Sequence, residues 1–379
     1  MRIVIAPDSF KECLTANQVA SAIARGWAKA APGDEIVEVP LADGGEGTTV
    51  ALTEALHGQL QSVTVTGPLG DPVIARYGLA PNVDTAIVEV AEGSGLHCVP
   101  PEARNALTAS SYGTGELMLE ALAHKPKVLI MGLGGSATTD GGAGILQALG
   151  AKLLDHEGKS IPRGGVGLAK LTSLDLQPAI DALGDTQLVV ACDVNNPLTG
   201  PNGAAAVFGP QKGASVKQLV QLDDNLAHFA RLTSNQGWDI SSFPGSGAAG
   251  GIGGIIAGIL GAELRPGIEL VMETIGLEKH IQTADLVITA EGAIDSQSAF
   301  GKTPAGVSAL AKKYAVPVIG FAGKLGRDID ALHSLGLTAA FSITRAPMEL
   351  KSAYAQAEAN LEQCAEQFAQ LTHALTGKH

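Results

Sequence analysis

Six apolar runs in this 379-residue sequence each end in residues that could hold a phosphate or a hard metal ion. After "RIVIA" come Asp8, Ser9 and Lys11, and after "EIVEVPL" come Asp43, Glu46, Thr48 and Thr49. After "VLIM" comes "GLGGSATTDGGAG", residues 132–144, with Ser136, Thr138, Thr139 and Asp140 among six glycines. "LVVAC" is followed by Asp193, Asn195 and Asn196, "LVITA" by Glu291, Asp295 and Lys302, and "VIGFAG" by Lys324. Carboxylate oxygens suit Mg²⁺, free backbone amides cradle phosphate, and lysines neutralise a phosphoryl group in transfer. Any one of these aspartates has an ordinary alternative role as a helix cap or Asx turn. The recurrence over six segments is what points to a site.

The glycine loop admits three functional readings beside the structural one, a turn that needs positive φ. As a dinucleotide fingerprint, Gly132, Gly134 and Ala137 follow a strand, but "TTDGGAG" delays the helix to about residue 142. As a Walker loop it lacks the lysine. As an anion cradle, the amides of Gly134, Gly135 and Ser136 ahead of a helix suit a phosphate. "GKT" at 301–303 is a second partial motif, since Ser296 stands where a Walker loop requires glycine, though Pro304 marks a helix start. The nine histidines show no zinc spacing, and no G-x-S-x-G elbow is present.

These residues need elements to position them. Strands are expected at 2–6, 35–39, 86–91, 127–132, 187–192, 285–290, 317–323 and 339–343, with a β-hairpin over 61–83. Helices fit 15–31, 46–58, 115–124, 142–150, 216–235, 303–314, 327–335 and 349–375. Strands alternating with helices of this length favour parallel sheets, whose ligands bind beyond the strands' carboxyl ends. Residues 155–175 and 193–215 read as long irregular loops. The uneven spacing predicts a discontinuous doubly wound domain, residues 1–62 and 280–379, carrying an inserted mixed α/β domain, 63–279.

Composition bounds the function. Hydrophobic residues make up 45% of the chain, enough for large cores, and 48 glycines beside 4% aromatics favour α/β packing with many tight turns. A formal net charge of −13 argues against nucleic acid. Cys13, Cys98, Cys192 and Cys364 are scattered, as buried thiols in a reducing compartment would be. Residues 240–262 carry no charge, but eight are glycine and the apolar side chains crowd into Ile252–Leu260, too short to span a bilayer. A buried helix is expected there, with Gly250, Gly254 and Gly258 admitting a close neighbour. "MRIVIAPDSF" enters a strand without a signal-peptide pattern, so a cytoplasmic protein is expected. Homo-oligomerisation is left open.

Several phrases together resemble the type 1 glycerate kinases: "APDSFKECLTANQVASAIARG", "PLADGGEGT", "GLGGSATTDGGAG", "CDVNNPLTGPNGAAAVFGPQKGA", "GAAGGIGG", "GAELRPGIELV" and "EGAIDSQSAFGKTPAGVSALAKKY". They occur in matching order over nearly the whole chain; Glu12-Cys13 and Ser298 are minor departures. The resemblance implies a flavodoxin-like domain with an inserted domain like a restriction-endonuclease core, and ATP- and Mg²⁺-dependent phosphorylation of D-glycerate. It associates such members with 2-phosphoglycerate rather than 3-phosphoglycerate.

The roles of individual residues are inferred from their chemistry, in a cleft expected between the domains. Two of Asp8, Asp43, Asp193 and Asp295 would hold Mg²⁺, and Asp193 would accept the glycerate hydroxyl proton. Asp43, Asp295 and Lys302 complete the catalytic set. Gly134, Gly135, Ser136 and Thr138 would cradle nucleotide phosphates, helped by Lys212 and Lys324, while Ser9, Lys11 and Asn195 would hold glycerate. Two rivals stand beside this reading: an NAD-dependent hydroxy-acid dehydrogenase using the Gly132 near-fingerprint, and a non-catalytic binder of phosphometabolites. The first needs a histidine or lysine at a nicotinamide, and no strand end supplies a histidine. The second would not need so many carboxylates.

Overall fold

A computed structural model describes residues 1–11, 13–42, 47–299 and 301–377. Thirteen strands run in chain order among these: β1 (Arg2–Ile5), β2 (Glu35–Glu38), β3 (Gln59–Thr66), β4 (Pro72–Ala80), β5 (Thr85–Glu89), β6 (Val128–Gly132), β7 (Lys152–Leu154), β8 (Ser173–Asp175), β9 (Gln187–Ala191), β10 (Glu263–Arg265), β11 (Leu286–Ile294), β12 (Val318–Leu325) and β13 (Leu337–Ser342). The chain divides into two compact units, one of residues 1–43 and 268–379, the other of 44–267.

In the first unit all five strands are parallel, in the order β13-β12-β11-β1-β2. Counted within the unit from the other edge, this is 2-1-3-4-5. Ile3, Ile5, Ile288 and Phe321 pack with Val19, Ile23 and Trp27 of helix Ala16–Ala30 and Leu361 and Ala365 of helix Leu350–Thr376. Alternate residues Val4 and Val287 are buried too, as in a parallel sheet covered on both faces. Thr15 and Gln18 close a capping box at the first of these helices, satisfying its leading amides. Gly26 brings the two helices together: a Cβ there would strike the Glu362 carbonyl.

The second unit holds a six-stranded mixed sheet, β10-β9-β6-β5-β4-β3, and the small antiparallel pair β7-β8. β3 and β4 form the expected hairpin and β4 pairs antiparallel with β5; the remaining ladders are parallel. Fold class is therefore α/β, with one parallel and one mixed sheet.

The units meet at 43/44 and 267/268, not at 62/63 and 279/280. Helix Thr48–Ala55 packs on β4 closely enough that a Cβ on Gly78 would collide with the Thr53 hydroxyl. Glu89, at the end of β5, accepts hydrogen bonds from the amides of Gly47 and Thr49 at that helix's start (3.0 and 2.8 Å). At the other boundary, Ile268 packs against Gly306 in the helix Thr303–Lys313. The two expected irregular loops are partly ordered: 155–175 contains a 3₁₀ turn, Gly165–Lys170, and β8, and 193–215 contains the short helix Ala204–Phe208. Their elements are too short to leave a periodic pattern.

The apolar segment near 250 is a buried helix, assigned Ala248–Gly258, whose start is bent by left-handed backbone at residues 249–251. All three glycines meet backbone: Cβ atoms at 250, 254 and 258 would strike the carbonyls of Thr138, Ile240 and Asp239. Among the described residues, no helix is long and apolar enough to cross a membrane.

Candidate active site

In the first unit, β1 and β11 are neighbours whose following connections diverge, β1 toward β2 and β11 toward β12. The sheet order reverses between them, and ligands of open parallel sheets bind in the crevice beyond the strand ends at such a point. The ladder continues past β1, where the Asp8 amide donates to the Ala290 carbonyl (2.8 Å), so the Asp8 backbone is fixed beside β11. Its buried carboxylate accepts from the Ser9 amide (2.6 Å) through Oδ1 and from the Thr303 hydroxyl (2.7 Å) through Oδ2. Thr303 opens the helix Thr303–Lys313, with Pro304 in its first turn where a missing N–H costs nothing.

Lys302, the residue capping that helix, reaches back to β11. Its Nζ lies 2.9 Å from Oε1 of Glu291, whose Oε2 accepts the Ser298 hydroxyl at 3.0 Å. Asp295 turns the chain after β11 by accepting the Gln297 amide (2.9 Å). With Ser9, Lys11 and Lys324 these side chains line one cavity of about 910 Å³, within the range of small-molecule sites. Of the residues picked from sequence, six meet here: Asp8, Ser9, Lys11, Asp295, Lys302 and Lys324. Asp43 lies outside the described residues.

Sequence reasoning noticed Glu291 but gave it no role, and passed over Thr303, Arg345 and Asn360. Glu291 follows "LVITA" directly, a signal that was available. Arg345 follows β13 and lines the cavity, and Asn360 reaches it from a helix whose sequence carries no local sign of a site.

The second unit holds the other expected residues. The 132–144 loop turns most of its polar groups inward: Ser136, Thr138, Thr139 and Asp140 are all buried, leaving Gly134 half-buried and Gly135 exposed. Asp140 accepts from the Ser111 amide and hydroxyl (2.8 and 2.9 Å) and from the amides of Gly142 and Gly144 (3.1 and 3.3 Å). Burial pushes its carboxyl up, and those donors oppose the rise. Lys212 is buried beneath the loop, its Nζ donating to the Ser136 hydroxyl (2.9 Å) and the Thr138 carbonyl (2.5 Å). The cradle therefore reduces to the backbone around Gly134 and Gly135, with Gly135 at φ 73°. Asp193 is exposed at the end of β9, and its Oδ1 accepts the Gly267 amide (2.8 Å); Asn195 is exposed beside it.

The family model described as the glycerate kinase family matches residues 3–373. The chain belongs to the glycerate kinase family. It is 48% identical to a glycerate kinase from Bacillus subtilis over 97% of both chains. It is 49% identical to a glycerate 2-kinase from Escherichia coli over 95% of both. A crystal structure from Salmonella typhimurium LT2, assigned to glycerate kinase 2, superposes with a TM-score of 0.91 at 46% identity, covering 100% of this chain and 99% of that one. Membership of this family sets aside the dehydrogenase and the non-catalytic binder.

One feature of this family member is testable by pH. Burial pulls the Lys212 amine down to about 7, against the attraction of Asp140. In the unfolded chain a lysine keeps its proton to about 10.4. From about pH 7 upward the unfolded state therefore binds more protons than the folded one, and stability rises with pH through that window. Glu89 acts in a lower window: burial raises it to about 7, so its contribution falls as pH climbs toward 7. Lys212→Met should flatten the rise in urea-unfolding free energy between pH 7 and 9. A slope equal to the parent's would show that Lys212 stays charged in the fold.

Proposed function

We propose that this chain transfers the γ-phosphoryl group of ATP to a hydroxyl of D-glycerate, with Mg²⁺, giving 2-phosphoglycerate in preference to 3-phosphoglycerate. The observation that carries the proposal is the meeting of Asp8, Glu291, Asp295 and Lys302 beyond adjacent parallel strands, in a cavity that Lys11 and Lys324 also line. Relatives nearly half identical over nearly their full length are named glycerate kinases, and the Escherichia coli one a glycerate 2-kinase. The 2-1-3-4-5 order supports a flavodoxin-like reading of the first unit. The inserted sheet we read as the restriction-endonuclease-like part.

The donor set fits Mg²⁺. All the candidate ligands are hard oxygens, and among the described residues no cluster of three or more acidic, histidine or cysteine side chains forms a ready-made cage. Mg²⁺ commonly keeps its waters and is held by one or two carboxylates together with substrate phosphates. Asp8 and Asp295 are the residues that would hold it. Bound there, it would neutralise charge on the transferring phosphoryl group.

The chain's own residues supply the rest. Glu291 pairs with Lys302 and is itself held by the Ser298 hydroxyl, so the ammonium is positioned before substrate arrives. Lys11 and Lys324 add positive charge for phosphate or the glycerate carboxylate. Asp193, with one oxygen fixed by Gly267, would accept the glycerate hydroxyl proton. Phosphoryl transfer depends mainly on such positioning and electrostatics.

Incubation with Mg·ATP and D-glycerate, followed by proton-coupled phosphorus NMR, tests both parts. The expected product has its phosphorus coupled to the single proton on C2. Coupling to the two protons of C3 would reverse the regiochemistry, and no phosphoglycerate at all would remove the proposal.

A further inference from the structure

The lining of the first unit's cavity has chemically distinct parts. Asp8, Asp295, Lys302 and Lys324 form the charged part at the strand termini. Ile343, Pro347, Met348, Leu350, Tyr354 and Ala357 give another part of the lining an apolar character, with Arg345 the charged residue in the same stretch. These come from the chain after β13 and from one face of the helix Leu350–Thr376, where positions 350, 353, 354, 357 and 360 recur at helical spacing. Such a lining suits a flat, weakly polar group, and the charged part suits what is attached to it.

Asn360 stands out on that face. It is only 7% exposed, yet it lines the cavity, and its side-chain amide has no hydrogen-bond partner among the described residues. The packing of this helix does not require it, because Leu361, Ala365 and Ala369 serve the core. The buried side-chain atoms that lack a partner lie elsewhere among the described residues, so the Asn360 amide opens onto the cavity, where a ligand can take up its donor and acceptor. An amide offers one acceptor and one donor group side by side. Adenine presents the matching pair, a donor amine at N6 beside an acceptor ring nitrogen. On the N6/N7 edge that adenine offers, guanine presents two acceptors, O6 and N7, which one amide cannot satisfy in that bidentate manner.

Building on the ATP reading above, we infer that the apolar part of this cavity receives the nucleotide base and that Asn360 reads its edge, selecting adenine. The residue determines specificity for the phosphoryl donor. It lies outside the group set that would act on the phosphoryl itself.

The test is calorimetric titration of the full chain, parent and Asn360→Leu, with ATP and with inosine triphosphate, which carries an oxygen in place of the N6 amine. The parent should bind ATP at least about 10-fold more tightly than inosine triphosphate, since a site built to hydrogen-bond a group rejects the analogue lacking it. Asn360→Leu should weaken ATP binding by a similar factor and bring the two nucleotides level. Asn360→Asp keeps the side chain's size and the acceptor for N6 but loses the donor to the ring nitrogen; it should weaken binding of ATP and keep the preference over inosine triphosphate, so the inference is testable if the leucine variant does not fold. ATP affinity and preference unchanged in a folded variant, or no preference in the parent, would overturn the inference while leaving ATP as donor. A parent that binds no nucleoside triphosphate would instead overturn the ATP reading, and this inference with it.

Discussion

Lys302→Ala should lower kcat by about 10²- to 10³-fold, the loss typical of removing one group that stabilises developing charge. KM for ATP should change much less, because a charge positioned toward the transferring group matters most in the transition state. The substitution also has a structural consequence that must be separated from the chemical one. Glu291 is mostly buried, and its Oε1 is paired with Lys302 at 2.9 Å. Without the ammonium, that carboxylate keeps the Ser298 hydroxyl but loses its counter-charge, and an orphaned buried charge is destabilising. Pairing Lys302→Ala with Glu291→Gln removes the orphan. The double variant should recover the thermal stability lost by the single one and recover none of the rate. Rate returning along with stability would mean that Lys302 only supports the fold around β11. A loss confined to KM would assign it to ground-state binding.

Asp193→Asn should lower kcat by about 10²- to 10⁴-fold, the usual contribution of a general base. The substitution keeps the hydrogen bond at the start of the next helix. The hydrogen bond from the Gly267 amide falls on Oδ1 at 2.8 Å, and an asparagine side-chain oxygen accepts it equally well. The start of helix Gly267–Ile275 should therefore stay capped. Measuring kcat across a magnesium titration separates two roles. A deficit that persists at saturating magnesium marks the proton acceptor, whereas recovery at high magnesium marks a metal ligand. Normal activity at every concentration would leave Asp193 as a cap alone and shift the base to Asp295.

Periodicity and punctuation alone were enough to place most strands and long helices, because those patterns are local. β11 and helix Thr303–Lys313 announced themselves by "LVITA" and by Thr-Pro after a glycine and a lysine. The boundaries of the units were less legible. Nothing local in 46–62 says that helix Thr48–Ala55 packs on β4; that contact depends on Gly78 being bare where Thr53 arrives. The glycine loop shows the same limit more sharply. Its sequence suggests hydroxyls offered to a phosphate, but Lys212, far along the chain, draws Ser136 and the Thr138 carbonyl inward.

The sequence by itself determined the family, the α/β class and the acids and lysines that follow strand after strand. A strand's identity and the residue after it are written within a few positions of each other. Tertiary structure alone decided which of those strand ends share a cavity. Parallel pairing sets Asp8 beside the end of β11, and Thr303 and Glu291 then orient the groups on either side. It also brought Asn360 to the same cavity from a long surface helix, with its amide unpaired. Such meetings are fixed by register and packing between segments distant in sequence, and no local pattern records them.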